Sequence, residues 1–99
     1  MEEKWTLRFD AAGQRLFIVA EGFATEEKSQ GAAREFGRLL GESTVDLVVD
    51  LGMMTGYTSG ARRAWQECFY PVRKQLKRML VVGTHVPARC AWGPPWLPR

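Results

Sequence analysis

Val45-Asp-Leu-Val-Val-Asp-Leu-Gly-Met-Met-Thr-Gly-Tyr-Thr-Ser-Gly-Ala-Arg-Arg-Ala-Trp65 is the stretch whose reading decides the fold. The aliphatic run Val45–Leu51 has the composition of a strand buried on both faces. Gly52 to Gly56 reads as a glycine-rich turn. Thr58-Ser59-Gly60 then opens a helical pattern in which Ala61, Ala64, Trp65, Cys68, Phe69 and Val72 share one apolar stripe. A strand that runs through a short turn into a helix is the unit of an α/β sheet. Hydroxyls at such a turn sit at a helix N-terminus, where unpaired N–H groups and the helix dipole favour an anion.

Upstream, Trp5-Thr-Leu-Arg-Phe alternates apolar and polar residues, the period of a strand with one buried face. Asp10-Ala-Ala-Gly-Gln is a turn, with Gly13 as its flexible position. Arg15–Gly22 is a second strand with a continuously apolar centre, expected to be covered on both faces. The short loop between the two strands predicts an antiparallel hairpin. Thr25 reads as an N-cap, with Glu26 and Glu27 in the first turn complementing the dipole. Ala32, Ala33, Phe36, Leu39 and Leu40 form the apolar stripe of this first helix, and Gly41 is its C-cap candidate. Gly31 and Gly37 weaken the helix; close helix–sheet contact and simple tolerance both account for them.

A helix between two buried strands implies a parallel crossover. Pro71 kinks or restarts the second helix, and Met79-Leu-Val-Val-Gly-Thr is the fourth strand. The expected fold class is therefore α/β, a single-domain mixed sheet with element order β-β-α-β-α-β and both helices packed on it. Residues 1–85 form this domain, and residues 86–99 form a Pro/Trp-rich C-terminal tail without strand or helix period.

Composition bounds the function. The chain has 99 residues, 45% hydrophobic and 25% charged, with a formal charge of +3. That is one globular domain, with a charge excess too mild for a dedicated nucleic-acid binder. Met1-Glu-Glu-Lys has neither the basic start nor the apolar core of an export signal, and no apolar run approaches the roughly 18 residues of a membrane span. A cytoplasmic protein with Cys68 and Cys90 as free thiols is the expectation. His85, Cys68 and Cys90 lack metal-ligand spacing, so no metal and no cofactor is expected. No nucleophile–base set and no phosphate-loop motif is present, so no catalytic residue is assigned and no enzymatic activity is expected.

The order of elements, together with Val48-Val-Asp-Leu-Gly-Met-Met-Thr-Gly-Tyr-Thr-Ser-Gly-Ala, resembles the STAS domain. That superfamily includes bacterial anti-sigma-factor antagonists and the cytoplasmic tails of sulfate transporters. Asp50-Leu51 matches the family's strand end and Ser59-Gly60 its helix opening, and the resemblance puts Thr58 where the family's regulatory phosphorylated Ser lies. The turn is one residue shorter than usual, and Tyr57 replaces the family's Asp. The family's final helix gives way to the Pro/Trp tail. The resemblance covers roughly residues 5–84 and implies a divergent bacterial STAS-like member. The implied role is a non-enzymatic regulatory protein-interaction domain, gated by phosphate at the start of the second helix, with a regulator or kinase-like protein as partner.

Each candidate residue has a plainer reading beside the functional one. Thr58 and Ser59 form either a phosphorylation or anion site, with Arg62 and Arg63 one turn away, or a simple helix cap, the commoner role. Tyr57, Arg62 and Arg63 are candidate partner contacts. Arg62, Arg63, Arg73, Lys74, Lys77 and Arg78 form either a strip for an acidic partner or a solvated face. Trp92 and Trp96, with Leu97, dock on a partner or second copy, giving a homodimer, fold back over their own sheet, or belong to a disordered end. Two alternative functions remain open. One is a small apolar ligand or lipid binder whose mouth is lined by Met53, Met54 and Tyr57 at the carboxyl end of the sheet. The other is a weak nucleic-acid binder acting through the basic second helix.

Overall fold

Apolar periodicity settles into four strands and two helices. The structure, a computed structural model, describes residues 2–83. In chain order the elements are β1 (Lys4–Asp10), β2 (Arg15–Ala24), α1 (Glu26–Leu40), β3 (Val45–Tyr57), α2 (Ser59–Phe69) and β4 (Leu76–Val82). A 3₁₀ turn, Tyr70–Gln75, joins α2 to β4 with Pro71 in its first turn. The ring of Pro71 removes an N–H donor, so the α-helix stops at Phe69 and the chain tightens instead.

The sheet order is β1-β2-β3-β4. β1 pairs antiparallel with β2, and β2–β3 and β3–β4 are parallel, as the hairpin and the two helical crossovers require. Gln14, not Gly13, takes the positive φ of the hairpin turn, at 50°.

Register assigns the two faces. Leu7 faces Ile18, Phe9 faces Leu16, and Leu16 in turn partners Leu47. These side chains meet Ala32, Phe36 and Leu40 of α1 and Trp65 and Phe69 of α2 in one core. Trp65 is the hub: its ring centroid lies 5.0 Å from Trp5 and 5.2 Å from Phe69, and Phe69 stands edge-on to Phe36 at 5.1 Å. Such tilted and edge contacts add about 0.5–1.5 kcal/mol each beyond the area they bury.

The opposite face is different. Arg8 pairs with Phe17, Phe17 with Val48, Val48 with Leu80, and Asp50 with both Val19 and Val82. No described helix covers this side. Leu80 is 56% exposed and Val82 43%. The apolar centres of β2 and β3, expected to be covered on both faces, are thus covered on one by the described residues.

β3 runs to Tyr57, six residues past the expected end at Leu51. Gly52 to Gly56 is a strand, not a turn. The segment keeps pairing with β2, Glu21 to Met53 and Ala24 to Tyr57, through register shifts at Val19/Glu21 and Gly22/Phe23. Glycine permits the irregular backbone such bulges need. Gly56 also lies under the Phe23 ring, where a β-carbon would come within 3.0 Å. At Gly83 the chain leaves β4 pressed on β3: a β-carbon there would sit 3.0 Å from the Gly52 nitrogen.

Candidate functional site

The long third strand delivers the chain without a loop into α2. Thr58 is the junction. Its N–H donates to the Ala24 carbonyl at 3.0 Å, which ends the sheet pairing. Its side-chain Oγ1 accepts from the Ala61 N–H at 3.0 Å. Thr58 is therefore the N-cap of α2, with extended backbone at φ −83° and ψ 160°. Ser59 is the first helical residue and is exposed. The two adjacent hydroxyls thus divide: Thr58 accepts from the helix, and Ser59 faces solvent.

Gly60 is fixed by tertiary contact. A β-carbon there would come within 2.8 Å of Oε1 of Glu26 and 3.0 Å of its Cβ. Glu26 opens α1, so the two helices meet at their N-termini, and the Glu26 carboxylate lies beside the start of α2. A negative group there complements the helix dipole.

Tyr57 precedes this corner and is 53% exposed. Arg62 and Arg63 stand exposed on the first turn and a half of α2, and among the described residues neither is within ion-pair distance of a carboxylate. The structure thus gathers Tyr57, Thr58, Ser59, Arg62 and Arg63 at one corner.

The longer basic strip does not form. Arg73 turns back on its own segment, donating to the Tyr70 carbonyl at 2.8 Å with its guanidinium 4.0 Å from the Tyr70 ring centre. Lys77 and Arg78 belong to β4, not to a helix. Arg78 reaches across the sheet to Asp46, with Nη2 to Oδ2 at 2.7 Å. That hydrogen bond holds the Asp46 carboxyl below its usual range.

The expected apolar mouth does not form either. Strand alternation separates its members: Met53 partners Glu21 on the open face, whereas Met54 partners the buried Gly22. Trp92 and Trp96 lie outside the described residues, as do His85 and Cys90. Cys68 packs between the helices, its Sγ 3.6 Å from the Ala33 carbonyl, and burial pushes its thiol up to about 11. Such a thiol is neutral at physiological pH and a poor nucleophile. Among the described residues no group of three or more His, Cys, Asp or Glu is placed to hold a metal ion, and no helix is long and apolar enough to cross a membrane.

One contact has no sequence signal of short range. Glu3 at the start of β1 accepts from the Thr25 hydroxyl at 2.7 Å, the Thr25 N–H at 3.1 Å and the Trp5 indole at 2.7 Å. Burial raises its pKa, but these hydrogen bonds outweigh it and the net shift is downward. Thr25 stands at the N-cap position of α1, yet its hydroxyl serves Glu3 and makes no cap bond.

Four strands, one antiparallel and three parallel, with two helices on one face and a Thr-Ser-Gly helix opening, make up a SpoIIAA-like fold. This is the fold of the STAS anti-sigma-factor antagonists. A solved structure that the chain resembles is an uncharacterized protein of the DUF3478 family, with a SpoIIAA-like fold, from Shewanella loihica PV-4. It superposes with a TM-score of 0.69 at 15% sequence identity, covering 85% of this chain and 69% of that one. No protein-family model and no curated protein matches the sequence.

Proposed function

We propose that this chain is a non-enzymatic regulatory domain that binds a protein partner through the Tyr57–Arg63 corner. The observation that carries the reading is the state of the side chains there. A half-exposed tyrosine and two unpaired arginines surround an exposed serine, on a backbone fixed by both the sheet and α2. Tyr and Arg are the residue types that anchor interfaces. A rigid frame removes the ordering cost that a loop would incur on binding.

The fold supports a regulatory role by analogy alone, since a fold hosts many functions. Phosphate gating belongs to the same reading. A phosphoryl group on Ser59 would add roughly −1.5 to −2 charge beside Arg62 and Arg63. On Thr58 it would also take over the cap oxygen. The partner is a regulator or kinase-like protein with an acidic or phosphate-bearing contact, and the setting is a bacterial cytoplasm.

The test is a quantitative affinity capture from source cells with the intact chain and a Tyr57→Ala/Arg62→Glu/Arg63→Glu variant, followed by titration of the purified partner. One protein held by the first and lost by the second supports the proposal. Equal capture of the same proteins by both sinks it. Mass spectrometry of the chain isolated from those cells tests gating: phosphate on Thr58 or Ser59 supports it, and phosphate elsewhere or none refutes it.

A further inference from the structure

An end strand of a sheet leaves a row of backbone N–H and C=O groups without a ladder partner. Among the described residues the end strands are β1 and β4. The two are unlike. β4 loses register with β3 at Val45/Asp46 and carries the exposed neighbours Lys77 and Arg78. Irregular pairing and like charges are devices that blunt an edge. β1 is regular: seven consecutive pairs tie it to β2 without a shift. Its sequence, Lys4-Trp-Thr-Leu-Arg-Phe-Asp10, holds no Gly and no Pro.

We infer that two copies of this chain join edge to edge through β1, antiparallel about Leu7, into one eight-stranded sheet. Side-chain faces and charge select that pairing. Paired side chains in an antiparallel ladder share a face. The even positions of β1 stand on the open face, whereas Trp5, Leu7 and Phe9 pack on the core. Even positions therefore meet even ones. Centring the pair on Leu7 sets Lys4 against Asp10 of the second copy at both ends, Trp5 against Phe9, and Thr6 against Arg8. It uses the whole strand. A shift of two residues one way sets Lys4 against Arg8, and two the other way sets Arg8 against Arg8. Both shifts lose the Lys4–Asp10 pairs. A parallel, in-register pair would set every charge against its own copy. Opposite charges and aromatic pairs stabilise a ladder, and like charges directly opposite destabilise it.

The groups that this pairing needs are available. Lys4 is exposed, and among the described residues neither it nor Asp10 forms an ion pair. Asp10 accepts a long hydrogen bond from the Gly13 N–H at 3.4 Å, which leaves its second oxygen for a cation. Arg8 draws its guanidinium over the Phe17 ring of β2, 4.6 Å from its centre and away from the edge, so two Arg8 side chains do not crowd the seam. Trp5 and Phe9 are half-buried on their own core, so part of each ring is left for the other copy. The contact is isologous and closes at two copies, which removes both β1 edges at once. It leaves the Tyr57–Arg63 corner out of the seam, so the two readings stand or fall separately.

Disulfide trapping reads the register. In a Cys68→Ala/Cys90→Ala background, Lys4→Cys and Asp10→Cys chains are oxidised singly and as a mixture, once circular dichroism shows them folded. Opposed Cα atoms lie about 4.5–5.5 Å apart, within disulfide reach. Position 4 and its own copy lie six residues apart along the ladder, about 20 Å. The mixture should give a cross-linked pair of unlike chains, and each chain alone should give none. Sedimentation equilibrium supplies the second measurement. The parent should form a dimer. Thr6→Lys sets a second cation against Arg8 twice per dimer and should weaken it about tenfold, whereas Thr6→Glu should tighten it. A parent that stays monomeric at millimolar concentration overturns the inference, as does equal cross-linking in the single chains and the mixture. A dimer insensitive to Thr6→Lys, or weakened equally by Thr6→Glu, would assign the contact to another surface.

Discussion

Replacing Thr58 by Ala removes one oxygen and leaves the Ala61 N–H without its acceptor. That hydrogen bond, 3.0 Å long, is the side-chain cap of α2. Losing an N-cap of this kind costs about 1 kcal/mol, within a range of 0.5–2. The upper half of the range applies here, because Ala61 is itself buried and Trp65 and Phe69 follow it into the core. In a domain of this size each kcal/mol moves the melting temperature by roughly 4–8 °C. Thermal and urea melts of Thr58→Ala, Thr58→Ser and Thr58→Asp decide the matter. Ser and Asp both keep a cap oxygen and should stay within about 0.5 kcal/mol of the parent. Asp gains little from the dipole, since the Glu26 carboxylate already lies beside this helix start. A Thr58→Ala protein as stable as the parent would refute the capping argument, and so would an Asp variant as weak as Ala. The series also separates stability from signalling: a phenotype seen with Ala but not with Asp belongs to the cap.

Gly37 is an exposed helical position with nothing within 4 Å of a β-carbon, so Gly37→Ala should stabilise by about 0.5–1 kcal/mol in denaturant melts. Gly22→Ala should do the reverse, since φ is +80° and a β-carbon would meet the Glu2 carbonyl oxygen at 2.6 Å; a neutral result would show that β2 relaxes there. Ser29 is fully buried and its hydroxyl has no hydrogen-bond partner among the described residues, so Ser29→Ala should be neutral or stabilising, and a loss above about 1 kcal/mol would refute this. Cys68 should resist alkylation at pH 8 and react faster as pH approaches 11. An unfolded thiol ionises near about 8.5, so the unfolded chain loses its proton first and stability should fall as pH rises through that window. Rapid labelling of the folded chain at Cys68 at pH 8 would contradict this.

The parts of the fold legible in the sequence are those set by local periodicity. Alternation in Trp5–Phe9, the stripes of α1 and α2, and a break near Pro71, where the α-helix gives way to a 3₁₀ turn, all appear as their spacing requires. A cap at the Thr58–Ser59 pair was legible too, because an N-cap answers to residues within one turn; that Thr58 and not Ser59 supplies it came from the structure. What escaped depends on partners distant in sequence. Gly52 and Gly56 read as a turn, since glycine is poor in strands; only the register with β2 shows that they serve bulges. Thr25 stands at the cap position, but Glu3 claims its hydroxyl from across the hairpin. Gly60 has its reason in Glu26, and Arg78 in Asp46, neither of which short-range spacing connects. The open sheet face was hidden for the same cause: a continuous apolar run in β2 does not say what lies on either side of it.

The direct passage of β3 into α2 has a consequence for how such a chain can vary. Tyr57 still pairs with Ala24, and Thr58 already caps the helix, so no slack separates sheet from helix. A one-residue deletion between 52 and 56 cannot be absorbed as a shorter loop. It either erases a bulge, which leaves the Ala24–Tyr57 pairing and the faces beyond it unchanged, or slips the register, which turns every later side chain to the opposite face and shifts the phase of α2 against its core. Length changes in this segment are therefore quantised, and the corner at Tyr57–Arg63 keeps its orientation only when strand and bulge change together.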